Sequence, residues 1–405
     1  MTKSCFIGLD VGRYEIFACV LSENLKEITS FSFSQTHVGY NQLIDQVMHL
    51  QSQGLFPIVS AEGHDGNISP LDEYLITSQI PFKPLHPTAV SRYKEVLGQP
   101  QKTDAYDAFV IADLLWLQHQ RIDEKQHHQE AGEFKSLSRT FKNLTRSKTQ
   151  FTNQLQSELM SYFPELLTDK LFSKITGKAA LNLLCEYPLP MQIQQLCVDK
   201  LAEFLSIHSK NHLGLETAIA LKQRAMAVDR QPTGLESKAL IVKTLAAQIL
   251  AIDDHLGQIK KRIEKIGKAS EVIMRMVSVP GISFLLATRL IGELQTFSRF
   301  ATDSKLAMFV GLAPIAKDSG KVVGKHKTTH RANKIAKDAM MQIAACNSRN
   351  CAQSKIYYQK QRKAGKSHWQ AIKCLARQLV RVLFAMSRDQ TDYQLKALSM
   401  RVATT

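Results

Sequence analysis

The spacing of apolar residues changes near residue 125, and this change constrains the fold more than any other feature of the sequence. Before it lie short apolar or alternating runs of strand length, CFIGLDVG, EIFACVLS, EITSFSFSQ and GLFPIVSAEG, with PFKPLHP as a further short strand. Residues 40–53, SPLDEYLITSQ and DAYDAFVIADLLWLQ have helical spacing. After residue 125 the strand pattern stops. The sequence therefore predicts an α/β first domain and a mostly helical remainder.

The order of these elements predicts the kind of sheet. The first two strands form a hairpin around Gly12, a third strand follows, and a helix precedes the fourth. Three antiparallel strands, a helix, and then strands alternating with helices are the order of a ribonuclease-H-type sheet. A chain of 405 residues is long enough for two or three domains. We predict an α/β domain at 1–124, a helical coiled-coil region at 125–270 and a mostly helical domain at 271–405.

Two long segments of the middle region carry narrow apolar seams, at the spacings of three and four that a coiled coil requires. The first seam consists of Phe134, Leu137, Phe141, Leu144, Lys148, Phe151 and Leu155, with one lysine among its apolar residues. The second consists of Leu245, Ile249, Ile252, Leu256, Ile259, Ile263 and Ile266. An internal bundle of two to four helices satisfies the same pattern. We expect self-association through these helices, and the prolines of FPELL and EYPLPMQ to end the first of them.

The positive charge is concentrated near the carboxyl terminus. The chain has a net charge of +16, and the segment from Lys317 to Arg388 contains 17 Lys or Arg and no Glu. Such a field attracts phosphate backbones, so nucleic acid is a better candidate partner than an anionic membrane. The sequence contains no run of 18 apolar residues, so no membrane span is predicted. Its seven cysteines are scattered and include no CxxC pair, which indicates a reducing cytosol.

Four acidic residues of the first domain are candidate metal ligands. Asp10 interrupts an apolar strand, where a charge is costly unless it is paired or metal-bound, and Glu62 follows the fourth strand. Asp104 and Asp107 share one face of the helix DAYDAFVIADLL. In a ribonuclease-H-type sheet these elements converge, and carboxylates suit two Mg²⁺ ions about 4 Å apart that clamp a phosphodiester.

Each of these residues has an ordinary structural explanation as well. Asp104 could cap its helix, and Asp107 could complement the helix macrodipole. Taken together, in this element order, the four favour a metal site. The remaining acidic residues of the domain are interpreted as surface or capping residues, namely Asp65, Asp72, Glu73 and Asp113.

Two segments of the last domain could contact phosphate. SVPGISFLLATRLIGEL resembles a helix-hairpin-helix, in which the amides of the turn at Gly281 bind a phosphate, although Ser283 replaces the usual second glycine. A plain interhelical turn explains this segment equally well. Further along, cations and aromatic residues alternate, as they do on surfaces that bind phosphates and stack bases: Arg349, Lys355, Tyr357, Tyr358, Lys360, Arg362, Lys363, Lys366 and Trp369. A solvated basic face is the alternative for these residues.

Ser319 lies in a Gly-rich segment among many basic side chains. The cations around it that could hold a phosphate are Lys317, Lys321, Lys325, Lys327, Arg331 and Lys334. A serine hydroxyl is a weak nucleophile that needs a base or a metal. Composition alone therefore favours a turn serine over a nucleophile. The glycine spacing also departs from a P-loop, so no nucleoside-triphosphate site is predicted.

The sequence resembles the DEDD transposases of the IS110 family, whose relatives include the Piv DNA invertase. The resemblance rests on IGLDVG, SAEGHDGNISPLDEYL and KTDAYDAFVIADLL in the first domain. In the last domain it rests on VPGISFLLATRLIGELQTFSRFATDSKLAMFVGLAPIAKDSGK and RANKIAKDAMM. It implies that Asp10, Glu62, Asp104 and Asp107 are the metal-binding set, and that Ser319 is the nucleophile that forms a covalent link to DNA.

The resemblance further implies a RuvC-like domain, a coiled coil and a transposase domain, assembled into dimers and tetramers with a composite site between subunits. It implies donor and target DNA as substrates, a structured guide (bridge) RNA as partner, and a bacterial, cytoplasmic, nucleoid-associated protein. The Piv-like alternative does not require the RNA. Two other functions stay open: a RuvC-like endonuclease that uses metal-activated water, and a non-catalytic nucleic-acid-binding protein.

Overall fold

The structure is a computed structural model. It describes residues 3–62, 69–98, 103–122, 124, 129–168, 171–228, 234–313, 315–316, 326–327 and 332–394. The chain divides into two compact units, residues 1–127 and 128–405, and each has apolar cores of its own. The predicted boundary near residue 270 falls inside the second unit and stays a prediction.

The first unit is built on a four-stranded sheet. Its strands are β1 (Lys3–Val11), β2 (Glu15–Ser22), β3 (Glu27–Ser34) and β4 (Leu55–Ala61). The strand order is β3-β2-β1-β4, in which β1 pairs antiparallel with β2 and parallel with β4. The Gly12 amide closes the β1–β2 turn by donating to the Glu15 carbonyl at 3.0 Å. The α/β first domain is confirmed, and its strand order agrees with the predicted ribonuclease-H-type order.

Helices cover both faces of this sheet. They are α1 (His37–Ser52), α2 (Ser69–Thr77), α3 (Pro87–Leu97) and α4 (Asp104–Gln118). Ile7 of β1 belongs to the core formed with α1 and α2, whereas its neighbour Phe6 packs with Val110 and Leu114 of α4. Because successive side chains of a strand point to opposite faces, β1 is covered on both sides.

Helix α3 has no counterpart among the predicted elements. It begins with Pro87, whose fixed φ suits the first helical position, and the Nδ1 atom of His86 accepts from the Thr88 amide at 3.2 Å. Gly98, with φ of +65°, ends the helix.

The predicted strand PFKPLHP is present only as two isolated parallel bridges, Val59 to Phe82 and Glu62 to Leu85. The prolines within this segment lack an amide donor, so a regular ladder of hydrogen bonds cannot form along it.

Two long helices dominate the second unit, α5 (Gln129–Tyr162) and α10 (Leu235–Ala269), and they pack against each other. The seam residues Leu155, Leu245 and Ile249 are buried in a core of this one chain. The internal packing thus accounts for much of the apolar spacing, and self-association through a coiled coil stays a prediction. As predicted, α5 ends just before the FPELL segment.

Four shorter helices follow α5, namely α6 (Lys178–Glu186), α7 (Pro190–Gln195), α8 (Val198–Ser209) and α9 (Leu215–Met226). Their apolar residues share one core with α5 and α10, represented by Leu184, Leu221 and Val242, each of which is fully buried. These helices therefore fold onto the long pair.

Among the described residues, the remainder of the unit is helical apart from one pair of short antiparallel strands. Its helices are α11 (Glu271–Val277), α12 (Phe284–Leu294), α13 (Asp303–Phe309), α14 (Lys334–Asn350), α15 (Ala352–Lys363) and α16 (His368–Asp389), and its strands are β5 (Ile315–Ala316) and β6 (His326–Lys327). Leu290, Ile343 and Leu379 share a core with Phe134 of α5. In the described ranges, no helix has the length and apolarity needed to cross a membrane.

Candidate active site

Two neighbouring strands carry Asp10 and Glu62 to the same edge of the sheet. Asp10 is the next-to-last residue of β1, opposite Phe17 of β2. Leu9 pairs with Ala61 at the end of β4. Because these two strands are parallel, the next residues along them, Asp10 and Glu62, follow at the same level.

Helix α4 brings Asp104 and Asp107 towards this edge. A Cβ atom at Gly8 would lie 2.2 Å from the carbonyl oxygen of Ala108 and 2.3 Å from the amide nitrogen of Ala112. The backbone of α4 therefore rests directly on β1, and a side chain at Gly8 would force them apart. Since Ala108 follows Asp107, this close packing fixes the first turn of α4 against the strand.

The other three carboxylates are close enough to Asp10 to raise its pKa. Burial raises the pKa of Asp10 from 3.8 to about 6, and the negative charges of Asp107, Asp104 and Glu62 add to the rise, while Lys94 opposes it. The structure thus brings together the four carboxylates that the sequence singled out. Their role in catalysis stays a prediction.

Helix α3 adds two side chains that sequence reasoning missed. The Lys94 Nζ atom lies 2.8 Å from Oδ1 of Asp107, and the Tyr93 hydroxyl donates to Oδ2 of Asp113 at 2.7 Å. Burial and this hydrogen bond raise the pKa of Tyr93 to about 12. The interpretation of Asp113 as a surface or capping residue is wrong, because Asp113 lies within α4, is 9% exposed and is bonded to Tyr93. Asp72, which was also interpreted as a surface or capping residue, is 6% exposed and lies in the first turn of α2, where a carboxylate complements the helix macrodipole.

The donors at this edge suit a divalent cation in their chemistry. All four are carboxylates, and the raised pKa of Asp10 reflects an excess of negative charge that Lys94 does not balance. Among the residues that the structure describes, no three His, Cys, Asp or Glu side chains form a group that could hold a metal ion. The carboxylates are therefore neighbours, but not a closed set of ligands.

The predicted nucleophile and most of its basic neighbours lie outside the described residues: Ser319, Lys317, Lys321, Lys325 and Arg331. Of the other two cations, Lys327 belongs to β6, and Lys334 is the exposed first residue of α14. In the sequence, Ser319 falls between β5 and β6, which pair with each other.

The chain on either side of this segment is held together at what we call the loop base, consisting of Phe309, Gly311, Ala332 and Asn333. The Asn333 amide donates to the Phe309 carbonyl at 2.9 Å. Gly311 has a φ of +67°, and a Cβ atom there would lie 2.6 Å from Cβ of Ala332. The two ends of the Ser319 segment therefore leave the helical core side by side.

A buried carboxylate of α12, Glu293, anchors the loop base. Its side chain is only 1% exposed. Its oxygens accept from Nε and Nη2 of Arg139 at 2.7 and 3.1 Å, and from Nδ2 of Asn333 at 2.7 Å. The Oδ1 atom of Asn333 also caps α14, by accepting from the amides of Ile335 and Ala336. A Glu in the apolar helix FLLATRLIGEL was the signal that could have indicated a buried carboxylate, although not its partners.

The turn between α11 and α12 has the connectivity of the predicted helix-hairpin-helix. Gly281 has a φ of +87°, and a Cβ atom there would lie 2.8 Å from the carbonyl carbon of Cys346 in α14. Asn347 of α14 also donates to the Pro280 carbonyl at 2.7 Å. Ser283 caps α12 by accepting from the Leu286 amide, which explains why a serine replaces the usual glycine. Phosphate binding at Gly281 stays a prediction.

Comparisons with known proteins cover both the carboxylates and the Ser319 segment. A family model described as transposase matches residues 7–164, and the model described as transposase IS116/IS110/IS902 family matches residues 274–359. A structural similarity also exists to RuvC of T. thermophilus, solved in complex with a Holliday junction substrate. It covers 30% of this chain and 99% of RuvC, with 11% identity and a TM-score of 0.23.

Curated relatives extend over most of the chain. An uncharacterized 42 kDa protein of insertion element IS900 from Mycobacterium paratuberculosis is 26% identical over 399 residues, which are 97% of this chain and 98% of the relative. An uncharacterized 43.6 kDa protein of insertion element IS110 from Streptomyces coelicolor is 28% identical over 311 residues, 76% of this chain and 75% of the relative. With two family matches that together span more than half of the sequence, the chain belongs to the IS110 family of insertion-sequence transposases.

Proposed function

We propose that this protein is a Mg²⁺-dependent DNA transposase that cuts and rejoins DNA through a covalent bond to Ser319. The observation that carries the proposal is the group of four carboxylates at one sheet edge, with the pKa of Asp10 raised to about 6. Such a concentration of like charge is costly in a folded protein unless a ligand or a reaction uses it. Membership of a transposase family supports DNA as the substrate.

Asp10, Glu62, Asp104 and Asp107 would hold the metal as the predicted pair of ions, and carboxylate oxygens are ligands that suit Mg²⁺. When bound, Mg²⁺ supplies positive charge next to the scissile phosphate. The close packing of Gly8 against α4 keeps the helix carboxylates at the strand edge. Without metal, the positive charge of Lys94, which pairs with Asp107, offsets part of the negative charge of the carboxylates.

Ser319 is proposed as the nucleophile of a reversible exchange. A bond forms between its Oγ atom and the phosphorus, the bond from phosphorus to one sugar oxygen breaks, and the serine proton passes to solvent while the departing sugar oxygen gains one. The new phosphodiester keeps the energy of the broken one, so a DNA hydroxyl can reverse the step without nucleoside triphosphate. The cations that would hold the phosphate are Lys317, Lys321, Lys325, Lys327, Arg331 and Lys334.

The test is the formation of a covalent protein–DNA adduct. A supercoiled plasmid that carries the DNA flanking the gene is incubated with protein and Mg²⁺, and the products are separated under denaturing conditions. We expect an adduct with the wild type and with Ser52→Ala, a matched change at an exposed serine, but none with Ser319→Ala or Asp10→Asn. Strand cleavage that persists in Ser319→Ala would instead indicate a nuclease that uses metal-activated water. Binding without any cleavage would indicate a non-catalytic nucleic-acid-binding protein.

A structured guide RNA and assembly into dimers and tetramers are further parts of the proposal. The excess of basic residues after Lys317 supports an RNA partner as well as DNA. Sequencing the RNA that copurifies with the protein from its host tests this. A discrete noncoding species encoded beside the gene is the expected result. Its absence would favour a Piv-like enzyme that works without RNA, and light scattering of the same preparation would give the number of subunits.

A further inference from the structure

The region from α14 to α16 contains an unusually long stretch without acidic residues. Residues 339–388 include no Asp or Glu, but they include ten basic residues: Arg349, Lys355, Lys360, Arg362, Lys363, Lys366, Lys373, Arg377, Arg381 and Arg388. A folded surface normally mixes both signs of charge. The one-sided composition therefore predicts a strongly positive surface wherever these side chains lack acidic partners.

The structure shows which of these cations are paired with acids. Arg377 and Arg381 lie 2.9 and 3.4 Å from Oδ2 of Asp303, and Arg388 pairs with Asp389. These acids offset part of the positive charge along α16 and at its carboxyl end, where Arg377 and Arg381 share one aspartate.

The cations where α15 meets α16 have different partners. We call them the basic turn, which consists of Lys360, Arg362, Lys363 and Lys366. Arg362 donates to the Lys366 carbonyl at 2.8 Å, and Lys366 donates to the side-chain oxygen of Gln361. Over the described ranges, no salt bridge joins the basic turn to a carboxylate, so its positive charge is available to a ligand.

An exposed tryptophan follows the basic turn in the sequence, three residues after Lys366. Trp369, the second residue of α16, is 64% exposed. Its ring contacts His368 edge-on, with centroids 4.9 Å apart, and His368 contacts Tyr358 in turn. The other tryptophan of the chain, Trp116, is half-buried and donates to the Glu23 carbonyl, so it has a structural use. An exposed indole beside cations offers a flat face on which a base can stack.

We propose that the basic turn and Trp369 bind an unpaired nucleic-acid strand, with one base stacked on the indole ring and the adjacent phosphates held by the cations. Base stacking on an exposed aromatic ring requires a base that is free of its own stack, as in single-stranded DNA or RNA. A duplex presents its phosphates but not the faces of its bases. The inference rests on the proposed function, that the protein processes nucleic acid. It adds that this surface recognises the unpaired state of the nucleic acid and not the duplex.

Tryptophan fluorescence provides a direct test, because the chain contains only two tryptophans. In Trp116→Phe, Trp369 is the only tryptophan, and it is excited selectively over the tyrosines. The probe is a DNA single strand of about 12 nucleotides, a length within the range that such sites cover. It is added without Mg²⁺ to protein that also carries Ser319→Ala, so that no covalent chemistry takes place. We expect saturable quenching by the single strand and little quenching by the duplex of the same sequence. If Trp116→Phe does not fold, the difference between the wild type and Trp369→Phe gives the same signal.

Affinity and salt dependence separate stacking from charge. Trp369→Ala should weaken binding of the single strand about 5- to 150-fold. Lys360→Gln combined with Lys363→Gln should lower the slope of log K against log salt by about 0.7 per lost phosphate contact. The matched control is Lys260→Gln with Lys261→Gln, an equal loss of charge at two exposed positions of α10, and it should change neither quantity.

Three results would overturn the proposal: Trp369 emission that does not respond to the single strand, equal quenching by duplex, or a response only to vesicles of phosphatidylcholine and phosphatidylserine. The last result would assign the surface to anionic lipid. Because binding is measured without catalysis, the two proposals fail separately. A wild-type protein that forms no adduct in the plasmid assay would contradict the proposed function, while quenching of Trp369 by the single strand would still assign this surface.

Discussion

Replacement of Glu293 by alanine tests whether a buried ion pair holds the loop base. The change removes the acceptor of three hydrogen bonds and leaves the Arg139 guanidinium and the Asn333 amide without it. Breaking a buried pair costs about 3–5 kcal/mol. Because the Arg139 side chain is 35% exposed and water can replace part of the contact, we expect the lower end, about 3 kcal/mol. At about 2–4 °C per kcal/mol, the unfolding midpoint should fall by about 6–12 °C.

The control is an exposed ion pair of α5, the long helix that also carries Arg139. Glu133 accepts from Nε and Nη2 of Arg262 at 2.9 and 2.6 Å, but the two side chains are 43% and 51% exposed. An exposed pair contributes about 0–1 kcal/mol, so Glu133→Ala should lower the midpoint by about 4 °C at most. Both variants are unfolded thermally in a Trp116→Phe background, where Trp369 reports on the second unit. Equal midpoints for the two variants would refute the reasoning, because burial would then not distinguish the two pairs.

Two further predictions concern the first unit and the long helices. Gly8→Ala should destabilise the protein by about 1–3 kcal/mol in denaturant unfolding, because the new Cβ atom would meet the α4 backbone. Gly257→Ala has nothing near its Cβ position, so it should stabilise α10 by up to about 1 kcal/mol. Because the pKa of Asp10 is raised from 3.8 to about 6, the folded state binds the proton of this carboxyl more tightly than the unfolded state does. The stability that this protonation contributes is therefore lost as the pH rises through about 6. Without metal, Asp10→Asn should therefore gain in thermal midpoint over the wild type between about pH 4 and 7, while exposed Asp45→Asn follows the wild type throughout.

The sequence predicted the sheet and its carboxylates because both depend on local patterns. The strand period, the Gly12 turn and the interrupted run at Asp10 are each visible within about ten residues. Helix α3 was missed because its start, at Pro87, was interpreted as the end of a strand. Lys94 and the partner of Asp113 were missed with it, since both depend on where that helix packs.

The contacts of the second unit could not be predicted because they join distant segments. Nothing in the sequence near Glu293 indicates that its partners are Arg139 and Asn333. The apolar seams are likewise ambiguous, because packing within one chain and pairing between two chains require the same spacing. The seam residues Leu245 and Ile249 are buried inside the chain in the structure.

The loop base has a consequence for how such proteins can vary. Its two ends are joined by a main-chain hydrogen bond from Asn333 to Phe309, a bond that does not depend on the intervening residues. Exchange of positions 314–331 for those of a relative is therefore expected to leave this bond in place. A chimera that carries this segment from a relative should fold like the parent, and new end sequences or new nucleic-acid partners could be acquired by replacing one contiguous piece of the gene.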